Sequence, residues 1–173
     1  MSCDHPVDII AKDKVKHKKK IDKAKEVIKE FNPKTIESGT YLYAILKDKP
    51  NKIIITSNKN EKNQYKIKHH VLAGDKNVVI AGDLKVVKND KGETFSFDNN
   101  SGHYKPDADC LEKLEKVADK KYNLKKIGQS KKTLKTGTFP ILKFEKKKTM
   151  VLKVKKKKVV KKKPDKMKLS CDC

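Results

Sequence analysis

The sequence predicts an α+β fold in which an antiparallel sheet packs on a helix, with an amphipathic N-terminal helix and a basic C-terminal hairpin and tail attached. Two stretches, 13–31 and 109–122, repeat their apolar residues every three or four positions, which is helical spacing. Between them the repeat drops to two, and clusters of Asn, Asp, Gly and Pro cut the region into pieces of strand length. Hairpins are the connections that fit strands spaced so closely.

The first helix is expected over 13–31, with Val15, Ile21, Ala24, Val27, Ile28 and Phe31 on one face for about five turns. Asn32 and Pro33 end it, because the residue before proline is pushed out of helical space. Its first half is too charged to pack, so docking is expected through the C-terminal half. From Gly39, Tyr41, Tyr43 and Ile45 alternate with Leu42, Ala44 and Leu46, and the turn Asp48-Lys49-Pro50-Asn51 leads into a second strand over 52–57. Further strands are expected at 64–70, 77–80 and 84–87, and at 93–97 after the Asn89-Asp90-Lys91-Gly92 turn.

A second helix begins after Pro106, with Asp107 or Asp109 as N-cap and Leu111, Leu114, Val117, Ala118 and Tyr122 along one face. Acids near its start and Lys120-Lys121 near its end complement the helix dipole. Beyond Gly128, the runs 137–144 and 149–154 predict a two-stranded hairpin with one lysine face. From Lys156 the tail carries too few apolar groups to offset its ordering entropy without a partner. The chain divides on this basis into a basic helix (1–35), an α+β core (36–127) and a lysine-rich hairpin and tail (128–173).

All 45 basic residues are lysine. Lysine is a hydrated point charge on a flexible stem, whereas arginine supplies the planar fork that reads guanine edges or clamps phosphate bidentately. The chain is equipped to attract polyanions and poorly equipped to read a base sequence. Residues 131–168 hold seventeen lysines against Glu145 and Asp165, or +15 of the net +23, while 37–125 holds seventeen lysines against thirteen acids. An AT-rich coding sequence would also favour lysine over arginine, but it does not explain the clustering. The predicted polyanion-binding residues are Lys18, Lys19 and Lys20 on one arm. On the other they are Lys146, Lys147, Lys148, Lys153, Lys155, Lys156, Lys157, Lys158, Lys161, Lys162 and Lys163. Such density repels itself, and a polyanion relieves the repulsion while releasing its own counterions. DNA, RNA, an acidic protein surface and an anionic membrane are the candidate partners. The scarcity of aromatics in the tracts speaks against stacking on single strands.

No run reaches the roughly 20 apolar residues that span a bilayer, and the N-terminus lacks the pattern of a signal peptide. An intracellular or particle-enclosed protein is expected. Cys3, Cys110, Cys171 and Cys173 are too few and scattered for a disulfide scaffold, so reduced thiols are expected. Cys3-x-His5 and Cys171-x-Cys173 are zinc-ligand types, but their one-residue spacings differ from the usual knuckle, and no metal or cofactor is predicted. His69-His70 is no better as a metal pair, because neighbours on a strand point to opposite faces. Cys110 stands at a helix start with no base beside it in sequence, and core packing is expected of it.

The run Asp98-Asn99-Asn100-Ser101-Gly102-His103-Tyr104-Lys105-Pro106 lies between a strand and a helix, downstream of His70 and of Ala81-Gly82-Asp83. In order and spacing these segments, over about 39–124, resemble a module at the C-terminal ends of bacterial polymorphic toxins and secreted effectors. There a histidine-bearing strand pair with an Ala-Gly-Glu step precedes an Asn-Asn-x-Ser-Gly-His-Tyr-x-Pro signature and a helix. This chain has Asp83 in place of the Glu and lacks the residue before Ser101. The resemblance implies a fold rather than a reaction.

Physically, Asn-Ser-Gly is a turn that sets His103 and Tyr104 near a helix start. With His70 and Asp83 they could serve acid–base chemistry on a phosphodiester or glycosidic bond. The preferred reading is structural: Gly102 permits the turn, His103 caps an element and Tyr104 fills the core edge. The function expected is therefore a non-enzymatic structural or scaffolding protein whose lysine arms bind a polyanion as part of a larger assembly. Composition suits a minor capsid-associated component of a large DNA virus particle. The alternative is a toxin-like hydrolase using His70, Asp83, His103 and Tyr104.

Overall fold

A computed structural model describes residues 3–6, 14–57, 67–102 and 104–148, with residues 14–17 as backbone alone. The chain runs through α1 (Lys14–Ala24), β1 (Lys29–Glu30), β2 (Gly39–Leu46), β3 (Ile53–Thr56) and α2 (His69–Leu72). It continues through β4 (Val78–Asn89), β5 (Gly92–Asp98), α3 (Leu111–Tyr122), β6 (Leu124–Leu134) and β7 (Gly137–Lys146). The α+β class holds: the strands form one seven-stranded sheet, ordered β1-β3-β2-β4-β5-β7-β6, with every neighbour antiparallel.

Alternation along the strands gives this sheet two unlike faces. Tyr43, Ile45, Ile80, Leu84, Phe95 and Phe97 point to one face, where α3 presents Leu111, Leu114 and Ala118. Phe31 closes the layer, its ring edge-on to Phe95, Phe97 and Tyr122 at centroid distances of 5.7, 5.8 and 5.1 Å. Asn123 ends α3 in left-handed geometry (φ 54°), its N–H bonded to the Ala118 carbonyl, and β6 starts at the next residue. At the other end, Asp107 caps through its backbone, whose carbonyl accepts the Cys110 N–H; no side-chain cap bond forms.

Tertiary pairing overrides the local reading at several places. The first helix stops at Ala24, and after a 3-10 turn Lys29 and Glu30 pair with Ile55 and Ile54, drawing Phe31 into the core. The strand expected at 64–70 is instead helical from His69, while 64–66 fall outside the described residues. His69, His70, Val71 and Leu72 are all buried, and a short unbroken buried run does not distinguish strand from helix. Gly74 and Asp75, at φ 62° and 55°, then turn the chain back toward β4. The segments 77–80 and 84–87 are one twelve-residue strand, because Gly82 lies inside it rather than at a break. β7 pairs with β5 on one side and β6 on the other, and 149–154, the hairpin partner expected for it, lies outside the described residues.

The expectation of reduced thiols does not hold for Cys3 and Cys110, which form a disulfide across 107 residues. Cys110 is core-packed as expected, but as half of a cystine. Cys171 and Cys173 lie outside the described residues.

Candidate functional site

The second face of the sheet is apolar at one end and polar at the other. Leu42, Ala44 and Ala81 lie beneath Leu72, Ala73 and Tyr104 at the apolar end. The polar end is open, a groove of about 650 Å³ lined in part by Thr40, Asp83, Lys85, Ser96, Asp98 and Lys132. Its polar lining follows from strand period: Asp83 and Lys85 of β4 and Ser96 and Asp98 of β5 alternate with Leu84, Phe95 and Phe97 of the core.

The β4–β5 register, with Leu84 opposite Phe97, sets Asp83 against Asp98 at the end of the groove. The Asp98 Oδ1 accepts the backbone N–H of Asp83 at 2.9 Å and of Asn100 at 3.0 Å, and its Oδ2 lies 4.0 Å from the Lys132 Nζ. Burial, and next the charge of Asp98, push the Asp83 carboxyl up to about 6, against the opposing pulls of Lys132 and Asn100. A carboxyl titrating there can hold or release a proton near neutrality, the property required of a general acid or base.

Gly82 makes this approach possible. A Cβ on it would stand 2.0 Å from the Asp98 carbonyl oxygen, which also accepts the Tyr43 hydroxyl at 2.6 Å. The Gly82 carbonyl in turn lies 2.9 Å from the His69 Nε2. Adjacent loop groups are locked structurally: the Asn99 amide donates to the Pro106 carbonyl and the Lys105 N–H to Ser101. The Asn99 Oδ1 and Ser101 Oγ are buried without a hydrogen-bond partner among the described residues.

Of the residues singled out in the sequence, His70, Asp83 and Tyr104 do not converge. His70 is buried, with its Nδ1 3.1 Å from the Asp75 Oδ1. The Tyr104 hydroxyl donates to the Lys76 carbonyl at 2.8 Å, and burial, with the charge of Asp75 second, holds its pKa far above the ordinary phenol range. These two share the corner around Asp75, while Asp83 hydrogen-bonds through its N–H to Asp98 and faces the charges of Asp98 and Lys132. His103 lies outside the described residues. Asp98, Asn100 and Lys132 are the site residues that sequence reasoning missed. The alternation Thr94, Ser96, Asp98 marks a polar face for the first, whereas Lys132 belongs to a strand that periodicity did not reveal.

Of the predicted polyanion-binding lysines, Lys18, Lys19, Lys20 and Lys148 are exposed. Lys146 pairs with Glu93, and Lys147 with Asp119. Lys153, Lys155, Lys156, Lys157, Lys158, Lys161, Lys162 and Lys163 lie outside the described residues. No helix among the described residues is long and apolar enough to cross a membrane. No protein-family model matches the chain, and no curated protein or solved structure shows significant similarity to it.

Proposed function

We propose that this chain is a basic structural or scaffolding protein whose lysine-rich arms bind a polyanion, either nucleic acid or an acidic assembly surface. One observation carries the reading. Residues 131–168 carry seventeen lysines against Glu145 and Asp165, whereas 37–125 nearly balances seventeen lysines with thirteen acids, and Lys18, Lys19, Lys20 and Lys148 are exposed with no carboxylate at ion-pair distance among the described residues. The ten lysines of 149–173 face only Asp165 and Asp172 within their own segment. The acids of this stretch are too few to balance its lysines, so the surplus charge calls for an external anion. A buried disulfide supports residence in an oxidising or sealed setting such as a virus particle, where the chain would be a minor capsid-associated component.

Duplex DNA binding followed by fluorescence anisotropy tests this. Affinity falls by about a thousandfold between 50 and 200 mM salt if six or more phosphates are neutralised. Truncation after Lys148 flattens that dependence, and a flat profile for the whole chain refutes the reading.

The Asp83 carboxyl, raised to about 6 beside Asp98, favours a second reading: a toxin-like hydrolase acting on a phosphodiester or glycosidic bond. Such an enzyme is toxic on expression, and either Asp83→Asn or Asp98→Asn lowers its turnover by roughly a hundredfold or more. A harmless wild-type chain that cleaves neither bond sinks this alternative.

A further inference from the structure

The N-terminal segment carries a second group of reactive side chains, remote in sequence and joined only by the fold. His5 is pinned by two main-chain hydrogen bonds with Val78, at 2.9 and 3.1 Å, and Cys3 is bonded to Cys110. The His5 Nε2 consequently stands 3.4 Å from the Cys110 Sγ. The ligand atoms of Cys3, His5 and Cys110 lie within 4.8 Å of one another, and the three residues are 4%, 9% and 2% exposed.

We propose that Cys3, His5 and Cys110 form a reduction-gated metal site, closed as a disulfide and, once reduced, able to take a thiophilic divalent cation of the zinc class. Tetrahedral zinc holds a sulfur and a nitrogen ligand about 3.6 Å apart and two sulfurs about 3.8 Å apart. His5 and Cys110 already stand near the first spacing. Cleavage of the disulfide frees the sulfurs to reach the second. The three ligands leave a fourth position for water or another donor, as in an open zinc site.

Electrostatics favour the cation over empty thiolates. Cys3 and Cys110 belong to the apolar core, where two bare negative charges are costly, whereas two thiolates, a neutral imidazole and a divalent cation sum to zero. The chemistry balances with a dithiol as reductant. It supplies two electrons and two protons to the Cys3–Cys110 bond and closes into its own disulfide, and the cation then displaces both thiol protons to solvent. Local opening of the segment at His5 gives the reductant access.

The test uses the full chain carrying Cys171→Ser and Cys173→Ser, so that every thiolate signal arises from this trio. After reduction and anaerobic removal of the reductant, Co(II) titration gives one equivalent of tetrahedral d–d absorption with a thiolate-to-metal charge-transfer band. The oxidised chain gives neither. Cys110→Ser removes the charge-transfer band, and His5→Ala weakens binding by roughly tenfold or more while leaving the oxidised fold intact. If reduction loosens the chain, Co(II) restores its near-ultraviolet circular dichroism. A reduced chain without the thiolate band, a band surviving Cys110→Ser, or unaltered affinity in His5→Ala each overturns the proposal.

Discussion

Asp83 places a titratable group where its ionised form is poorly solvated, and this sets a pH dependence of known sign. Its folded pKa of about 6 exceeds the ordinary carboxylate value, so the native state holds more protons than the unfolded chain between about pH 4 and 6. The contribution of this group is full below that window and is lost as pH rises through it. Replacing Asp83 with Asn removes the penalty: the gain in stability is about 2 kcal/mol larger near pH 7.5 than near pH 4.5. Urea unfolding of both chains at the two pH values measures it, and an equal difference at both refutes the assignment. Gly82 is constrained more severely, because the obstacle is the Asp98 backbone rather than a movable side chain. Gly82→Ala is expected to cost roughly 3 kcal/mol or more, read as a lowered denaturation midpoint. The same substitution at Gly102, where a Cβ meets nothing within 4 Å among the described residues, is the control.

Among the elements, those with a strong local signal match the sequence most closely. α3 carries its apolar stripe on one face, and β2, β3 and β5 are flanked by turn residues, so neighbours in sequence suffice to specify them. β6 was hidden because it is an edge strand whose lysines and Ile127 leave no clean alternation, and lysine on an edge also discourages pairing with other chains. Phe31 shows the opposite case, a residue assigned to a helix that the sheet claims for its core. Phe31→Ala removes a ring packed on Phe95, Phe97 and Tyr122 and is expected to cost about 3–5 kcal/mol, measured by thermal or urea unfolding. A loss below 1 kcal/mol contradicts its role as the keystone of that layer.

For the molecule as a whole, the Cys3–Cys110 bond ties the N-terminal segment to the start of α3 and closes a loop spanning most of the described chain. Long loops cost the unfolded chain most entropy, so reduction is expected to lower stability by about 2–4 kcal/mol in the absence of metal. Unfolding midpoints before and after reduction, with Cys3→Ser as a second reading of the same loss, provide the measurement. The sheet is continuous from β1 to β6, and β6 crosses position 127/128, where composition changes. Charge and fold thus follow different partitions of this chain: lysine density rises along a strand that hydrogen-bonds into the common sheet.

The sequence by itself determined the α+β class, the stripe of α3, the hairpin turns and the uneven distribution of lysine, because each is written in residues a few positions apart. Only the tertiary structure decided that Asp83 meets Asp98, that His70 turns to Asp75 instead, and that Cys3, His5 and Cys110 converge. Those meetings depend on strand register and on how distant segments close over the core. Such long-range choices are set by the free energy of the whole packing and leave no mark on the local period.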